Sequence, residues 1–114
     1  MDIETTIADL KEMVEQFVSE RDWAQFHSPK NLSMALAIEA SELMDLFKWF
    51  TVEESKEMME TPEKIQSATD EIADVIIYSI AFANRNNIDI STAVIDKLAK
   101  NRKKYPEHLY KGKF

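Results

Sequence analysis

Two stretches of this chain place carboxylates inside strongly apolar sequence, and few folds accommodate that combination. Glu39 and Glu42 belong to the first stretch, and Glu71 and Asp74 belong to the second. Each pair is spaced i, i+3, so in an α-helix both side chains lie on one side, one turn apart. Burying an ionised carboxylate without a partner costs several kcal/mol, and four that converge need a compensating cation. The pattern therefore predicts two helices that pack against each other around a cation.

The residues around each pair indicate that the carboxylates face the interior rather than solvent. At about 100° of turn per residue, Glu39 lies within about 80° of several large apolar residues. These residues are Leu32, Leu36, Leu43, Phe47 and Phe50. Asp74 is the only charged residue in the run 72–83, IADVIIYSIAFA, and neither helix offers an Arg or Lys on that face. Because hard divalent ions such as Mg²⁺ prefer oxygen ligands, two such helices packed antiparallel form a metal-binding cage.

Composition indicates that the rest of the chain is helical too. The 114 residues include one glycine, three prolines and no cysteine. A sheet needs turn glycines and alternating β-branched runs, and without cysteine neither a disulfide framework nor thiolate-bound zinc can form. We expect an all-α protein with one domain, residues 1–114, built as a bundle of about five helices. A chain this short buries a modest fraction of its surface, so oligomerisation would stabilise it.

Hydrophobic periodicity and capping residues predict where these helices begin and end. Ser28 followed by Pro29 is typical of a helix start, and Thr51 with Glu54 forms the pattern of a capping box. The predicted helices run from about Ile3 to Arg21, from Ser28 to about Phe50, from Thr51 to near Thr61, from Thr61 to about Asn86, and from Asp89 to Tyr105. Residues 107–114 remain as a short tail without a predicted helix.

Charge is distributed unevenly and limits the expected partners. Residues 1–96 carry seven basic and twenty acidic side chains, whereas residues 97–114 carry seven basic and one acidic side chain. Most of this surface repels a polyanion, so we expect no DNA or RNA polymer as a partner. The basic end suits a small phosphorylated ligand and suits equally well the C-terminal end of a helix. No apolar run approaches about 18 residues and the N-terminus is acidic, so we expect no membrane partner, no signal peptide and a cytoplasmic location.

Several short motifs together resemble one known family. They are ERDW at residues 20–23, QFH at 25–27, residues 29–32, EASEL at 39–43 with Phe47 and Trp49, DE at 70–71, DVIIY at 74–78, Lys97, Asn101-Arg102, Tyr105-Pro106 and His108-Leu109. A lone ExxE is weak evidence, but the combination covers nearly the whole chain. It resembles the MazG-like all-α nucleoside triphosphate pyrophosphohydrolases, and within them the dCTP pyrophosphatases. The resemblance implies a homo-oligomer, either a dimer or a dimer of dimers.

The resemblance also implies an activity. It is the Mg²⁺-dependent hydrolysis of a nucleoside triphosphate, dCTP or a modified dCTP, to the monophosphate and pyrophosphate, with Mn²⁺ as a substitute ion, in nucleotide-pool sanitation. Glu39, Glu42, Glu71 and Asp74 become metal ligands and catalytic residues, and which of them serves as general base is left open. Solvated helix carboxylates are the alternative interpretation of the same four residues.

The substrate-binding residues follow from the resemblance as well. Lys97, Asn101 and Tyr105 are expected to contact the triphosphate or sugar, and their i, i+4, i+8 spacing places them on one helix face. The expected base-enclosing residues are Trp23 and Trp49, with Tyr78 near the sugar and His27 as a hydrogen-bond partner of the ligand. Purely structural roles remain alternatives for these residues: Lys97 as a surface lysine, the two tryptophans as core residues, and His27 as a residue that only ends the connection before Ser28.

One departure and two other classes limit this interpretation. The mammalian dCTP pyrophosphatases carry a histidine where this chain has Val14, so strict cytosine selectivity is not implied. A di-iron carboxylate bundle needs Glu-x-x-His pairs, and neither His27 nor His108 follows a glutamate by three residues. A non-enzymatic nucleotide sensor or helical interaction module could keep the same bundle, and turnover of a nucleoside triphosphate would exclude it.

Overall fold

The computed structural model describes residues 1–113 and shows only helices, turns and connections in that part of the chain. The helices are α1 (Ile7–Glu20), α2 (Pro29–Asp45), α3 (Val52–Met58), α4 (Pro62–Arg85), α5 (Ile90–Lys104) and α6 (Glu107–Tyr110), with a 3₁₀ turn at Ala24–Phe26. The predicted all-α class is therefore confirmed. Within the described residues, no helix is long and apolar enough to cross a membrane.

The long helix α4 organises the bundle. α2 packs along α4 over the largest shared surface, and α1 packs against another side of α4, whereas α5 stays farther from its neighbours. His27, just before α2, lies near Arg85, and Glu42 lies near Glu71, so α2 runs antiparallel to α4. The buried apolar side chains of residues 1–113 are Val18, Leu32, Met58, Ile80, Ala81 and Ala83. The core is thus small and lies where α1 and α2 meet α4.

Most of the predicted caps are confirmed. The Ser28 hydroxyl accepts a hydrogen bond from the Asn31 N–H, and Thr51 with Glu54 forms a complete capping box. The Asp89 carboxylate likewise accepts a hydrogen bond from the first turn of α5. Thr61 differs, because its side chain makes no cap hydrogen bond and α4 starts with Pro62 alone.

Three predicted boundaries are wrong. α1 begins at Ile7 rather than about Ile3, because a capping box of Thr6 and Asp9 sets its start and leaves the Ile3 side chain fully exposed. α2 ends at Asp45 rather than about Phe50, and i→i+3 hydrogen bonds such as Phe47 N–H to the Met44 carbonyl (3.0 Å) tighten the chain beyond it. α3 ends at Met58, short of Thr61. The predicted tail contains the helix α6, and its last residue, Phe114, lies outside the described residues.

Helices α1 and α4 end without glycine. Asp22 and Asn87 follow these helices with φ angles of 52° and 54°, in the left-handed region. The next residue of each turns its N–H back to the helix: Trp23 to the Val18 carbonyl (3.1 Å) and Ile88 to the Ala83 carbonyl (3.0 Å). This is the hydrogen bond of a Schellman motif, and Asp and Asn tolerate the required conformation better than most residues. Both turns are therefore defined by backbone hydrogen bonds.

The chain exposes more surface than a compact monomer of its size. Its accessible surface is 9216 Å² at a mass of 13.2 kDa. A folded monomer of that mass exposes about 6,400 Å². The radius of gyration is 17.0 Å, against about 13 Å for a compact chain of this length. The bundle is consequently open, and much apolar surface remains uncovered.

Candidate functional site

The predicted carboxylates meet between α2 and α4. Glu39 and Glu42 lie in the second half of α2, and Glu71 faces them from α4. One oxygen of each of these three side chains lies within 4.8 Å of the others. Asp74 lies outside that group of three, but it is close enough for its charge to raise the pKa of both Glu39 and Glu71. The structure thus brings the two sequence motifs into one acidic cluster.

Two oxygens of the cluster have no partner. The Oε2 atoms of Glu39 and Glu71 are buried and accept no hydrogen bond from the described residues, 1–113. The ion pairs among residues 1–113 all involve other acidic residues, so no Lys or Arg neutralises the cluster there. A buried, unpaired carboxylate oxygen is costly, and such an atom is suited to binding a cation. The donor set, made only of carboxylate oxygens, fits a hard divalent cation such as Mg²⁺.

The electrostatics of the cluster show the same deficit of positive charge. Burial raises the pKa of Glu39 to about 7, aided by the adjacent Glu42 carboxyl group and by the charges of Asp74 and Glu71. Burial also raises the pKa of Glu71, again with Glu42 as the strongest neighbouring influence. Like charges held this close cannot all be ionised at neutral pH without a cation. Metal-free protein therefore holds a proton in the cluster below about pH 7.

This shift predicts a pH-dependent stability of the metal-free protein. The pKa of Glu39 is about 7 in the folded state against a reference of 4.5. Between about pH 4.5 and pH 7 the folded state holds a proton on Glu39 that the unfolded state releases. The stabilisation that this proton provides is fully present below about pH 4.5 and is lost as the pH rises through about 7. In EDTA, thermal unfolding should show Glu39→Gln gaining stability over wild type from about pH 5 to about pH 8.

The comparison with Glu39→Gln cancels the opposite contribution of His27. Burial and the charge of Arg85 lower the pKa of His27, so that residue favours the folded state as the pH rises. A difference in melting temperature between Glu39→Gln and wild type that stays constant over the pH range would contradict the shifted pKa of Glu39.

Two predicted substrate-binding residues line a groove between α4 and α5. Lys97 and Asn101 border this groove, which has a volume of about 410 Å³ and apolar walls that include Phe82. Ser79 also lines it, five residues beyond Asp74 and hence about 7.5 Å along the α4 axis. Sequence reasoning missed Ser79, although it is the one hydroxyl besides Tyr78 in the apolar run 72–83. Polar groups of α4 and α5 therefore share this groove, whereas none of the four carboxylates lines it.

Both predicted base-stacking tryptophans are accessible. Trp49 is 84% exposed, with the Lys48 ammonium 5.4 Å from its ring centre. Trp23 is partly exposed and packs edge to face against Phe17 at 5.7 Å between ring centres. Neither ring is buried in the core of this chain, so both retain a face that could stack on a planar ligand.

The remaining predicted residues lie at different places along the bundle. Tyr78 is half-buried on α4, one turn beyond Asp74. Tyr105 ends α5 and packs edge to face against Tyr110 at 5.3 Å between ring centres. His27 follows the 3₁₀ turn and lies near Arg85, the last residue of α4, whereas Glu71 and Asp74 lie near the middle of that helix. These residues do not form one cluster within a single chain, and their roles in binding stay predictions.

The geometry defines a class of protein. It is an all-α bundle in which the central helix pair, α2 and α4, carries a cluster of carboxylates in apolar surroundings. The model of the MazG-like family matches residues 34–112, which include this cluster, the connection after it and α5. The chain therefore belongs to the MazG-like family, as its motifs indicated.

Known proteins agree in sequence and in fold. The chain is 40% identical over 109 residues to dCTP pyrophosphatase 1 of Rattus norvegicus, covering 96% of this chain and 64% of the relative. It is 41% identical over 106 residues to dCTP pyrophosphatase 1 of Homo sapiens, covering 93% of this chain and 62% of the relative. The chain thus spans less than two thirds of the length of these relatives. A crystal structure of a pyrophosphatase from Archaeoglobus fulgidus superposes with a TM-score of 0.81 at 34% identity, covering 87% of this chain and 91% of that chain.

Proposed function

We propose that this protein hydrolyses a nucleoside triphosphate to the monophosphate and pyrophosphate, with dCTP or a modified dCTP as the preferred substrate. The observation that carries the proposal is the pair of buried, partnerless oxygens of Glu39 and Glu71 within a group of three carboxylates. Membership of the MazG-like family and the printed names of the relatives support the same activity. Nucleotide-pool sanitation in the cytoplasm is the role that such an activity would serve.

In this proposal the acidic cluster holds the catalytic ion. Glu39, Glu42, Glu71 and Asp74 would bind Mg²⁺, with Mn²⁺ as a substitute. When bound, a divalent ion neutralises phosphate charge and polarises the phosphorus centre for in-line attack by water. The carboxylates are held on two packed helices, so the cluster is rigid before the substrate arrives, which favours catalysis by positioning.

The chain supplies positive and polar groups for the rest of the nucleotide. The Lys97 ammonium and the Asn101 amide would bind the triphosphate or sugar from α5, together with Tyr105. Trp23 and Trp49 would stack on the base, and Tyr78 would approach the sugar. His27 would donate a hydrogen bond to the ligand or accept one from it. A substrate of this kind is free nucleotide rather than DNA or RNA, in keeping with the acidic surface of residues 1–96. Neither a membrane nor a nucleic acid polymer is a partner in this account.

We further propose that the active unit is a homo-oligomer, a dimer or a dimer of dimers, of the single domain 1–114. The surface in excess of a compact monomer, about 2,800 Å² per chain, is of the order that one subunit buries in large permanent interfaces. A second groove, of about 430 Å³ between α1 and α4, supports this because its lining is apolar. It includes Leu10, Val14, Phe17, Ile76 and Ile77. In an oligomer, the exposed aromatic residues of one subunit could complete the site of another.

The substrate assignment is tested with a panel of deoxyribonucleoside and ribonucleoside triphosphates at saturating Mg²⁺. We expect the highest kcat/KM for dCTP or a 5-substituted dCTP. Because Val14 offers no hydrogen bond, we expect weaker discrimination against other bases than a hydrogen-bonded base site gives, less than about 10⁴-fold. Tight nucleotide binding with no turnover of any member would instead support a non-enzymatic sensor.

A further inference from the structure

Helix α5 carries two proposed substrate-binding residues but is weakly held. All residues from 91 to 100 are exposed, whereas α1 and α2 pack closely on α4. The groove of about 410 Å³ separates α5 from α4 along the side where Lys97 and Asn101 lie. Packing between helices therefore leaves the direction of α5 loosely determined within the chain. Another contact must fix that direction if the two residues are to meet a ligand.

The turn from α4 to α5 is well defined in itself. Asn87 adopts the left-handed conformation, and the Ile88 N–H returns to the Ala83 carbonyl at 3.0 Å. The Asp89 carboxylate then accepts the Thr92 N–H at 2.8 Å and caps α5. These bonds join the start of α5 rigidly to this turn. Whatever holds the turn also sets the direction in which α5 leaves it.

Lys11 of α1 holds this turn from outside. Its Nζ atom donates a hydrogen bond to the Ile88 carbonyl at 2.8 Å, across 77 residues of sequence. The Asn84 side chain donates to the Lys11 carbonyl at 3.0 Å, so the backbone of α1 is fixed at the same point. The pKa of Asp89 is lowered by hydrogen bonds from Thr92, and additionally by the charge of Lys11. Lys11 thus contacts or faces both residues that precede α5.

We infer that Lys11 is a positioning residue, which fixes the direction of α5 and through it the positions of Lys97 and Asn101. This inference rests on the proposed function of those two residues. Asn101 lies 11 residues beyond Ile90, about 16 Å along the helix. A tilt of about 10° at the turn would therefore displace Asn101 by about 3 Å, and displacements of about 1 Å already impair binding and catalysis.

The kinetic test compares Lys11→Met, which keeps the apolar stem but removes the donor, with wild type. We expect KM for the nucleoside triphosphate to rise about tenfold while kcat falls less than about twofold, because the carboxylate cluster lies on α2 and α4. Lys11→Arg keeps a donor at that distance and should restore KM. In the Lys11→Met background, Lys97→Met should cost less than it does alone, because the two residues act through one helix.

The matched control is Glu15→Gln. Glu15 lies one turn beyond Lys11 on α1 and forms an ion pair with Arg85, within α4 rather than in the turn. The substitution removes the charge from a contact between the same two helices, α1 and α4, without touching the residues before α5. An equal rise of KM in Glu15→Gln and Lys11→Met would overturn the inference, since general loosening of α1 would then explain both.

A second readout needs no activity and so separates this inference from the proposed function. The chain has no cysteine, so spin labels can be attached at Met34→Cys on α2 and Ile95→Cys on α5, both exposed positions. Labelled chain is diluted with unlabelled chain so that distances within one subunit dominate. Lys11→Met should broaden the distance distribution or shift its centre, and Glu15→Gln should not. A distribution in Lys11→Met as narrow and centred as in wild type would overturn the positioning role, whether or not the protein turns over nucleotides.

Discussion

Glu39→Gln and Glu71→Gln should each lower turnover at least about a thousandfold, because each removes a charged oxygen ligand while conserving side-chain shape. Both residues contribute a buried oxygen that has no hydrogen-bond partner among residues 1–113. Asp74→Asn should act in the same direction, although Asp74 lies outside the group of three closest carboxylates. Steady-state kinetics at saturating Mg²⁺ measures the loss, with circular dichroism as a check on the fold.

The same variants should gain stability in the absence of metal. Removing one charge relieves repulsion within the cluster, so the melting temperature in EDTA should rise, and the increase on adding Mg²⁺ should shrink. Glu12→Gln is the control, because Glu12 is an exposed glutamate on α1. It should change neither turnover nor the effect of Mg²⁺. Wild-type turnover in Glu39→Gln or Glu71→Gln would remove that residue from the proposed metal site.

Ile77→Glu should break the oligomer and with it most of the activity. Ile77 lines the apolar groove between α1 and α4 and is 41% exposed in the single chain. A carboxylate there would be buried without a partner in an assembly, at a cost of several kcal/mol, which weakens association by about a thousandfold or more. Sedimentation velocity and light scattering at working concentration measure the change.

Two control variants separate the loss of the interface from other effects of Ile77→Glu. Ile3→Glu places the same charge at a fully exposed isoleucine ahead of α1 and should leave the oligomer intact. Ile77→Ala shortens the side chain without a charge and should show weaker association in a chain that still folds. A wild-type protein that sediments as an active monomer of 13.2 kDa would contradict the oligomer outright.

Local signals in the sequence predicted much of the fold and the convergence of the carboxylates of α2 and α4. The caps at Ser28, Thr51 and Asp89 depend on residues three positions apart, so they can be recognised in the sequence without knowledge of the tertiary structure. The i, i+3 carboxylates in apolar runs can also be recognised in the sequence as candidate cation ligands, because burial of such charges requires a compensating ligand. These features share a physical cause that acts within one or two helical turns.

The misses have a different physical origin. Apolar periodicity continues through Ile3 and Phe50, but a competing capping box and a run of tightened turns end the helices earlier. The bond from Lys11 to the Ile88 carbonyl leaves no sequence pattern, because any residue offers a carbonyl and the partners lie 77 positions apart. The spread of Trp23, Trp49 and His27 around one chain likewise depends on tertiary arrangement, and residue spacing alone does not encode it.

Product analysis of wild-type protein with dCTP tests the central claim most directly. Phosphorus NMR of one reaction with Mg²⁺ and one with excess EDTA resolves monophosphate, diphosphate, pyrophosphate and orthophosphate together. The account predicts dCMP and pyrophosphate in equal amounts with Mg²⁺ and no turnover in EDTA. Accumulation of dCDP with orthophosphate, equal turnover in EDTA, or no turnover of dCTP or any other nucleoside triphosphate with Mg²⁺ would contradict it.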